Sequence, residues 1–275
     1  MNMWICPACR ARLHQDDAGF RCENGHSYDK AKEGYVNLLL AHQKRSKEPG
    51  DNKQMINARR AFLEGGFYQP LAHRLAHIIH EHSADGAPLD LFDAGCGEGY
   101  YLDVIKQSLV AQGHEVASSG CDIAKVAIQK AAKKYKTSAF CVASTYALPL
   151  ADESTNALVQ VFAPSSETEV HRVLQANGLW LQVNPASNHL HQLKAMIYDA
   201  AQDHQKHQQE IDGFSVLLDE ELNFDISLPD PQSTLNLLMM TPFYWSASEA
   251  QLAEIQENLK QVSAHFHIRV LQKLN

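Results

Sequence analysis

Short apolar runs alternate with longer amphipathic stretches through the middle of the chain, from about residue 88 to residue 183. Five apolar runs predict buried strands, at 89–92, 116–123, 139–143, 157–162 and 179–183. The stretches between them predict helices, at 99–112, 124–135 and 166–176. Strands and helices that alternate in this way predict an α/β fold, with a parallel sheet covered on both faces.

Further elements are predicted on either side of this region. Asp51 and Asn52 stand where an N-cap is expected, ahead of apolar residues at helical spacing, and a second helix is predicted from about Pro70 to His82. The C-terminal part predicts a polar helix near 187–209, irregular structure to about 233, a helix ending before Thr241, a helix near 247–261 and a last strand near 263–271.

The first 35 residues are polar and rich in glycine, with alternation around residues 19–22 that predicts a small hairpin. Their cysteines and one histidine have the spacing C-x2-C-x12-C-x3-H, formed by Cys6, Cys9, Cys22 and His26. Two ligands from each of two turns suit a tetrahedral zinc site, and four protein ligands make that zinc structural. Buried free thiols, or His14 in place of His26, are the alternatives.

Composition sets the broad class of protein. The chain has 275 residues, of which 45% are hydrophobic, enough for one large domain and a small one. Its net charge is −8, yet residues 1–60 carry 11 of the 24 basic and 7 of the 32 acidic residues, so a basic segment of +4 precedes an acidic body of −12. Neither a leader peptide nor an apolar run of about 20 residues is evident, which predicts a cytoplasmic protein without a membrane partner.

A glycine-rich turn follows the first predicted strand. Residues 93–99 read D-x-G-x-G-x-G, with Asp93, Gly95, Gly97, Glu98 and Gly99. Glycines let a ligand approach the backbone amides of a strand-to-helix turn. A dinucleotide fingerprint would need a third glycine where Tyr100 stands. With Asp93 ahead of the glycines, the arrangement instead resembles the S-adenosylmethionine loop of class I methyltransferases, whose first strand ends in this acidic-glycine pattern.

The ends of the second and third strands support a nucleoside ligand, and the end of the fourth bears on which atom is methylated. Asp122 ends the second strand, where a carboxylate can accept both ribose hydroxyls, although it could also cap the following helix. Residues 142–150 follow the third strand, where the methyltransferases that the chain resembles commonly hold the adenine. The fourth strand ends in Val161-Phe162-Ala163-Pro164, which lacks the N/D-P-P-Y/F motif of amino methyltransferases and disfavours methylation of an exocyclic amine.

Taken with the cysteine spacing, longer strings of residues resemble the zinc-containing 23S ribosomal RNA (guanine-N1) methyltransferases over nearly the whole chain. The strings are 26–39, 49–52, 58–71, 93–101, 125–128, 140–144, 163–164 and 240–243. The resemblance implies a Rossmann-like class I methyltransferase domain with a small N-terminal zinc-binding module. It implies an enzyme of the EC 2.1.1 class, which methylates N1 of a guanine in a 23S ribosomal RNA hairpin and forms a homodimer.

The same resemblance implies a set of ligand residues. Structural zinc, one per chain, goes to Cys6, Cys9, Cys22 and His26, and the S-adenosylmethionine site gains Tyr68, the 97–99 turn and His189. Tyr68 could instead pack its helix onto the sheet. Asn184-Pro185 stands where family members more often have Thr-Pro, close to His189.

The chain is predicted to divide into three units. They are a zinc-binding module at 1–35, a linker and helical segment at 36–85, and the methyltransferase domain at 86–275.

The residue that accepts the proton is left open. Guanine N1 must lose a proton during methylation, and Asp51, Asn184 and His189 are candidate bases that no motif separates. A small-molecule methyltransferase, or a non-catalytic cofactor-binding protein that interacts with RNA, is the alternative function.

Overall fold

A computed structural model describes residues 4–17, 19–43, 50–84, 86–198 and 210–275. A three-stranded antiparallel sheet opens the chain, with strands β1 (His14–Gln15), β2 (Gly19–Arg21) and β3 (Ser27–Asp29). The predicted hairpin around residues 19–22 is therefore confirmed, with a third strand added to it.

The main sheet has eight strands in the order β10-β11-β9-β8-β5-β6-β7-β4. In chain order these are β4 (Val36–Asn37), β5 (Leu89–Ala94), β6 (Val116–Asp122), β7 (Ala139–Val142), β8 (Thr155–Val161), β9 (Leu174–Pro185), β10 (Phe214–Ser227) and β11 (Gln261–Lys273). Strands β4 to β9 are parallel, and the five strands predicted from apolar runs all lie among them.

The helices lie close to the predicted positions. They are α1 (Lys53–Glu64), α2 (Gln69–Glu81), α3 (Tyr100–Ala111), α4 (Lys125–Lys134), α5 (Glu167–Val173), α6 (His191–Ala195), α7 (Pro231–Met239) and α8 (Glu249–Asn258), with 3-10 turns at Ala41–Gln43 and Pro242–Trp245. The N-cap of α1 is confirmed, because the Asn52 side chain accepts a hydrogen bond from the Met55 amide at 3.0 Å. Of the polar helix predicted near 187–209, α6 is seen, and residues 199–209 lie outside the described residues.

The prediction of irregular structure up to residue 233 is wrong, because β10 occupies 214–227 and pairs antiparallel with β11. It is the outermost strand, and its alternate residues are exposed and largely acidic. Glu220 also interrupts the apolar face, where Arg74 of α2 binds its carboxylate through two hydrogen bonds of 2.7 and 2.9 Å. Because β10 pairs antiparallel with β11, and β11 with β9, the main sheet contains both parallel and antiparallel strands.

Two apolar clusters cover the two faces of the main sheet. On one face, α1 to α4 and α6 to α8 contribute buried residues to a cluster that includes Leu91 of β5. On the other face, α5 and the N-terminal residues form a cluster around Phe92, the next residue of the same strand. The short N-terminal sheet thus takes the place of a helical layer on part of that face.

The N-terminal segment is joined to the main sheet by direct contacts. Trp4 is 3% exposed, forms a bridge with Leu150, and its ring lies 6.5 Å from that of Phe92. The Ile5 amide donates a hydrogen bond to the Pro149 carbonyl at 3.0 Å. Burial against the main sheet therefore supplies the core that the first 35 residues lack. The domain boundaries at 35 and 85 stay predictions.

None of the helices in the described ranges combines the length and the hydropathy that crossing a lipid bilayer requires.

Replacing Trp4 with alanine should destabilise the whole chain, because it opens a cavity between the N-terminal segment and the sheet. The expected loss in the free energy of unfolding is about 3–5 kcal/mol. Urea unfolding followed by circular dichroism measures it. Trp245→Ala, at a position that is 60% exposed, is the control and should change stability by about 0.5 kcal/mol or less. Equal stability of the two variants would contradict the shared core.

Candidate functional site

The turn between β5 and α3 is held open by glycines with left-handed backbone angles. Gly95 has a φ of +85°, and a Cβ there would collide with the side chain of Ala163. Gly99 has a φ of +89° and is packed against the ring of Tyr135. The amides of Gly95 and Cys96 both donate to the Cys121 carbonyl at 2.9 Å, which ties the turn to the end of β6. The turn therefore presents backbone at the carboxyl edge of the sheet.

Three carboxyl groups meet at this turn. Asp93 is 2% exposed and Glu98 is 4% exposed, while Asp122 is half-buried at the end of β6. The Asp122 carboxylate accepts hydrogen bonds from the Gly97 amide at 2.9 Å and the Ala124 amide at 2.7 Å. Asp122 thus braces the glycine turn, while the N-cap of α4 is the neighbouring Ala124.

Burial makes these carboxyl groups hard to ionise. It raises the pKa of Asp93 to about 8, and the neighbouring charges of Asp122 and Glu98 add to the shift. Burial also raises the pKa of Glu98 to about 7 and that of Asp122 above its usual range. One oxygen of Asp93, Oδ2, has no hydrogen-bond partner among the described residues. An unpaired buried carboxyl group fits a ligand that brings a positive charge or a donor.

Tyr68 and His189 form a buried pair beyond the turn. The Tyr68 hydroxyl lies 3.4 Å from His189 Nε2, and Tyr68 is 1% exposed. His189 Nδ1 accepts a hydrogen bond from the His265 amide at 3.2 Å, so the neutral ring carries its proton on Nε2 and donates it to Tyr68. Burial lowers the pKa of His189 to about 4. Its ring is therefore neutral near pH 7.

The three candidate bases occupy different environments. His189 has its Nδ1 occupied, and Asp51 forms an ion pair with Arg59. Asn184 is exposed at the carboxyl end of β9. Of these three, Asn184 alone is exposed at the end of a strand of the main sheet.

The predicted metal ligands converge in the N-terminal segment. Ligand atoms of Cys6, Cys9, Cys22 and His26 all lie within 4.8 Å of one another. Cys9 and Cys22 sulfurs are 3.7 Å apart, and His26 Nδ1 lies 3.6 Å from the Cys6 sulfur and 3.4 Å from that of Cys22. These separations match the edges of a tetrahedron with Zn–S bonds of about 2.3 Å. This donor set fits zinc, and His26 rather than His14 completes it.

Two further residues contact the sulfur atoms of these ligands, and the spacing of cysteine and histidine in the sequence could not reveal them. The Asn24 side chain donates to Cys9 Sγ at 3.3 Å, and this contact is the main cause that lowers the pKa of Cys9 to about 6. The Tyr28 hydroxyl lies 3.1 Å from Cys6 Sγ. Both contacts suit thiolate sulfur, and contacts of this kind orient metal ligands.

Five residues of the basic N-terminal segment fall into two groups, Arg59 with Arg60, and Lys44 with Arg45 and Lys47. Arg59 contacts Asp51 and the Met240 carbonyl, and Arg60 forms an ion pair with Glu64 at 2.7 Å. Their charges are therefore partly neutralised within the chain. Lys44, Arg45 and Lys47 lie outside the described residues.

Two family models match the chain. Residues 4–47 match the zinc-ribbon model described as "RlmA, N-terminal", and residues 92–181 match the model described as "Methyltransferase domain". The first includes the four metal ligands, and the second includes the glycine turn and Asp122. These matches agree with the class I methyltransferase fold and with an N-terminal zinc ribbon.

Curated relatives extend the likeness. A Streptomyces fradiae protein named 23S rRNA (guanine(748)-N(1))-methyltransferase is 37% identical over 190 residues, which cover 68% of this chain and 65% of the relative. A Micromonospora griseorubida relative is 36% identical over 205 residues, covering 68% and 67%, and a Bacillus subtilis relative, YxjB, is 28% identical over 264 residues, covering 93% and 92%. Both carry provisional names as 23S rRNA (guanine-N(1)-)-methyltransferases. The chain thus spans just under two thirds of the Streptomyces relative.

Stability without ligand should fall as the pH rises from 6 to 8. The folded chain keeps a proton on Asp93 up to about pH 8, whereas the unfolded chain has already released it above its ordinary pKa. The free energy of unfolding therefore decreases with pH, by at most about 1.4 kcal/mol per pH unit for this group. Urea unfolding of the zinc-loaded chain between pH 6 and 9 measures the slope.

Two variants separate the carboxyl groups. Asp93→Asn should flatten the slope up to about pH 8, whereas Glu98→Gln should flatten it only up to about pH 7. A slope in Asp93→Asn identical to that of the parent chain would show that Asp93 ionises at its ordinary pKa.

Proposed function

Because this chain belongs to the family of 23S rRNA (guanine-N1) methyltransferases, we propose that it transfers a methyl group from S-adenosylmethionine to N1 of a guanine in 23S ribosomal RNA. The observation that carries the proposal is the glycine turn closed by Asp122, beside the buried Asp93 oxygen that has no partner among the described residues. A small-molecule methyltransferase would leave the positive charge of the N-terminal segment without a role. The intact acidic-glycine loop favours an enzyme over a non-catalytic cofactor-binding protein.

The proposed cofactor site is built from residues at the ends of two neighbouring strands, β5 and β6. When bound, S-adenosylmethionine supplies an electrophilic methyl group on a cationic sulfur. The 97–99 turn offers backbone to it, and Asp93 offers a carboxyl group whose free oxygen suits a cationic group. Asp122 already accepts two amides, but a carboxylate has about four lone-pair sites, so it can also accept ribose hydroxyls.

Tyr68 and His189 would close the other side of this site. The hydrogen bond from the His265 amide to Nδ1 fixes the tautomer of His189, and burial keeps the imidazole neutral, so the pair adds no positive charge beside a cationic cofactor. The tyrosine hydroxyl, which accepts from His189, keeps its own proton for donation to a ligand. These roles for Tyr68 and His189 are part of the proposal.

The target nitrogen must lose its proton during transfer, which a group near O6 can assist. Asp51 is paired with Arg59, and His189 is neutral with Nδ1 occupied, so neither offers a free base in this state. Asn184 is exposed at the end of β9, and its amide can donate to a guanine O6. It is therefore the candidate for that contact, and the proton acceptor itself stays unassigned.

We assign one structural zinc to Cys6, Cys9, Cys22 and His26. Zinc would fix the two turns that carry these residues and leave no position for a water molecule. Because Cys6 and Cys22 belong to the apolar cluster around Phe92, the metal would also hold one face of the main sheet in place. Its proposed role is to hold the fold.

The proposed RNA contacts rest on the charge of the N-terminal segment, and the proposed homodimer rests on the resemblance to the methyltransferase family. An RNA hairpin would be attracted to the basic N-terminal segment, since the remaining body carries a net charge of −12. Lys44, Arg45 and Lys47 are the residues proposed to contact phosphates. A homodimer would bring two such segments to one cleft, and a ribosomal RNA substrate implies a cytoplasmic enzyme.

Purified chain should methylate unmodified 23S rRNA transcripts with labelled S-adenosylmethionine, and nuclease digestion with mass spectrometry should identify N1-methylguanine. Asp122→Ala should weaken cofactor binding by about 1.5–3 kcal/mol, or roughly tenfold to 150-fold, because a charged acceptor is lost. Calorimetry measures that affinity. Asp152→Ala, an exposed aspartate paired with Arg172, is the control and should bind the cofactor normally. A methyl group at another guanine atom, or on a small molecule only, would refute the proposal.

Cys9→Ser should lose zinc, since three ligands hold the metal less tightly than four. Metal analysis should give about one zinc for the parent chain and for Cys141→Ser, whose cysteine lies in the main sheet, and clearly less for Cys9→Ser. The melting temperature of Cys9→Ser should fall, because the ribbon shares a core with the sheet. Equal zinc content in Cys9→Ser and the parent chain would remove Cys9 from the site.

A further inference from the structure

The turn after β8 holds an aromatic residue in an unfavourable backbone conformation. Phe162 has a φ of +54°, in the left-handed region that favours glycine, yet its side chain is 44% exposed. A bulky residue there costs roughly 1–2 kcal/mol relative to the ordinary backbone. Neither the turn nor burial of the ring accounts for phenylalanine at this position, and strained residues of this kind concentrate at ligand sites.

The surrounding residues force this conformation. The Phe162 amide donates to the Val183 carbonyl at 3.0 Å. The Gln160 side chain donates to the Ala163 carbonyl, and its oxygen accepts from the buried Trp180 indole at 3.0 Å. Ser165 donates to the same oxygen at 2.7 Å. A core tryptophan thus anchors a glutamine that clamps the turn, so the ring of Phe162 is displayed from a rigid support.

The position of the turn places that ring beside the proposed reaction site. Ala163 lies directly against Gly95, the first glycine of the cofactor turn. The Phe162 ring centre is 5.6 Å from that of His189 and 5.9 Å from that of Phe266. Phe266 is fully buried and His189 is nearly so, so these two rings lie on the inner side of Phe162. The exposed part of the Phe162 ring faces away from them. The ring is therefore backed by aromatic side chains and faces outward next to the cofactor loop.

We propose that Phe162 is the surface on which the target guanine stacks while it is methylated. The inference rests on the proposed function. A base taken out of its RNA stack loses stacking energy, and a rigid aromatic ring at the edge of the pocket replaces it. Stacking leaves the Watson–Crick edge of guanine free, so N1 can face the methyl donor. Phe162 thus orients the base and takes no proton.

The test compares steady-state kinetics of Phe162→Leu, Phe162→Ala and Phe162→Tyr on the RNA substrate. Leucine keeps apolar volume without a ring, and tyrosine keeps the ring. The leucine and alanine variants should raise KM for RNA about tenfold to 100-fold, with tyrosine near the parent value. The calorimetric affinity for S-adenosylmethionine should stay within about twofold in all three. Tyr198→Leu, at a position that is 43% exposed, is the control and should leave KM unchanged.

A fluorescent guanine analogue at the target position gives a direct readout. Its emission should be quenched on binding to the parent chain and to Phe162→Tyr, but not to Phe162→Leu. The inference fails if Phe162→Leu has the parent KM, or if its cofactor affinity falls in proportion to its activity. Melting temperatures show that each variant is folded, and the leucine variant carries the test if alanine does not fold. Absence of methylation by the parent chain would instead refute the proposed function.

Discussion

The rest of the structure depends on holding three carboxyl groups, two of them buried and one half-buried, at one edge of the parallel part of the main sheet. Strands β5 and β6 end side by side, so Asp93 and Asp122 must come together, and the glycine turn adds Glu98. Arg59 and Arg60 lie close enough to affect these charges, but each forms its own ion pair with another acidic residue. The apolar core must offset this unfavourable burial, and a cationic ligand would relieve it. The preference for a cationic ligand that we propose is thus a consequence of the electrostatic cost of these carboxyl groups.

Most of the central sheet could be predicted because each strand and helix shows its own periodicity. Strand β10 could not, since its outer face is acidic and Glu220 of its inner face depends on Arg74, a residue on α2 far earlier in the chain. The metal ligands were found from spacing because both pairs lie in short turns. Asn24 was missed, because a hydrogen bond to sulfur leaves no periodic mark.

Some features of the candidate site could likewise be predicted from the sequence, and others could not. The acidic-glycine pattern predicted the turn between β5 and α3, since backbone geometry requires glycine there and the Asp122 carboxylate accepts from the turn. The unpaired oxygen of Asp93 and the left-handed backbone of Phe162 were beyond prediction, because both depend on neighbours brought together by folding. The clamp on Phe162 joins Gln160 of β8 to Trp180 of β9, two strands that pair only in the folded sheet.

The contact between Trp4 and Leu150 has a consequence for how the protein is made. The N-terminal segment leaves the ribosome about 145 residues before the strand ends that cover it, roughly 7–30 s at ordinary rates of synthesis. During that interval the segment has only its own short sheet and the assigned zinc to hold its two turns together. A nascent chain that fails to capture zinc in time presents Trp4 and Phe20 uncovered to its neighbours. Zinc binding would thus act on the order of assembly, since the N-terminal turns can be fixed before the residues that cover them have been made.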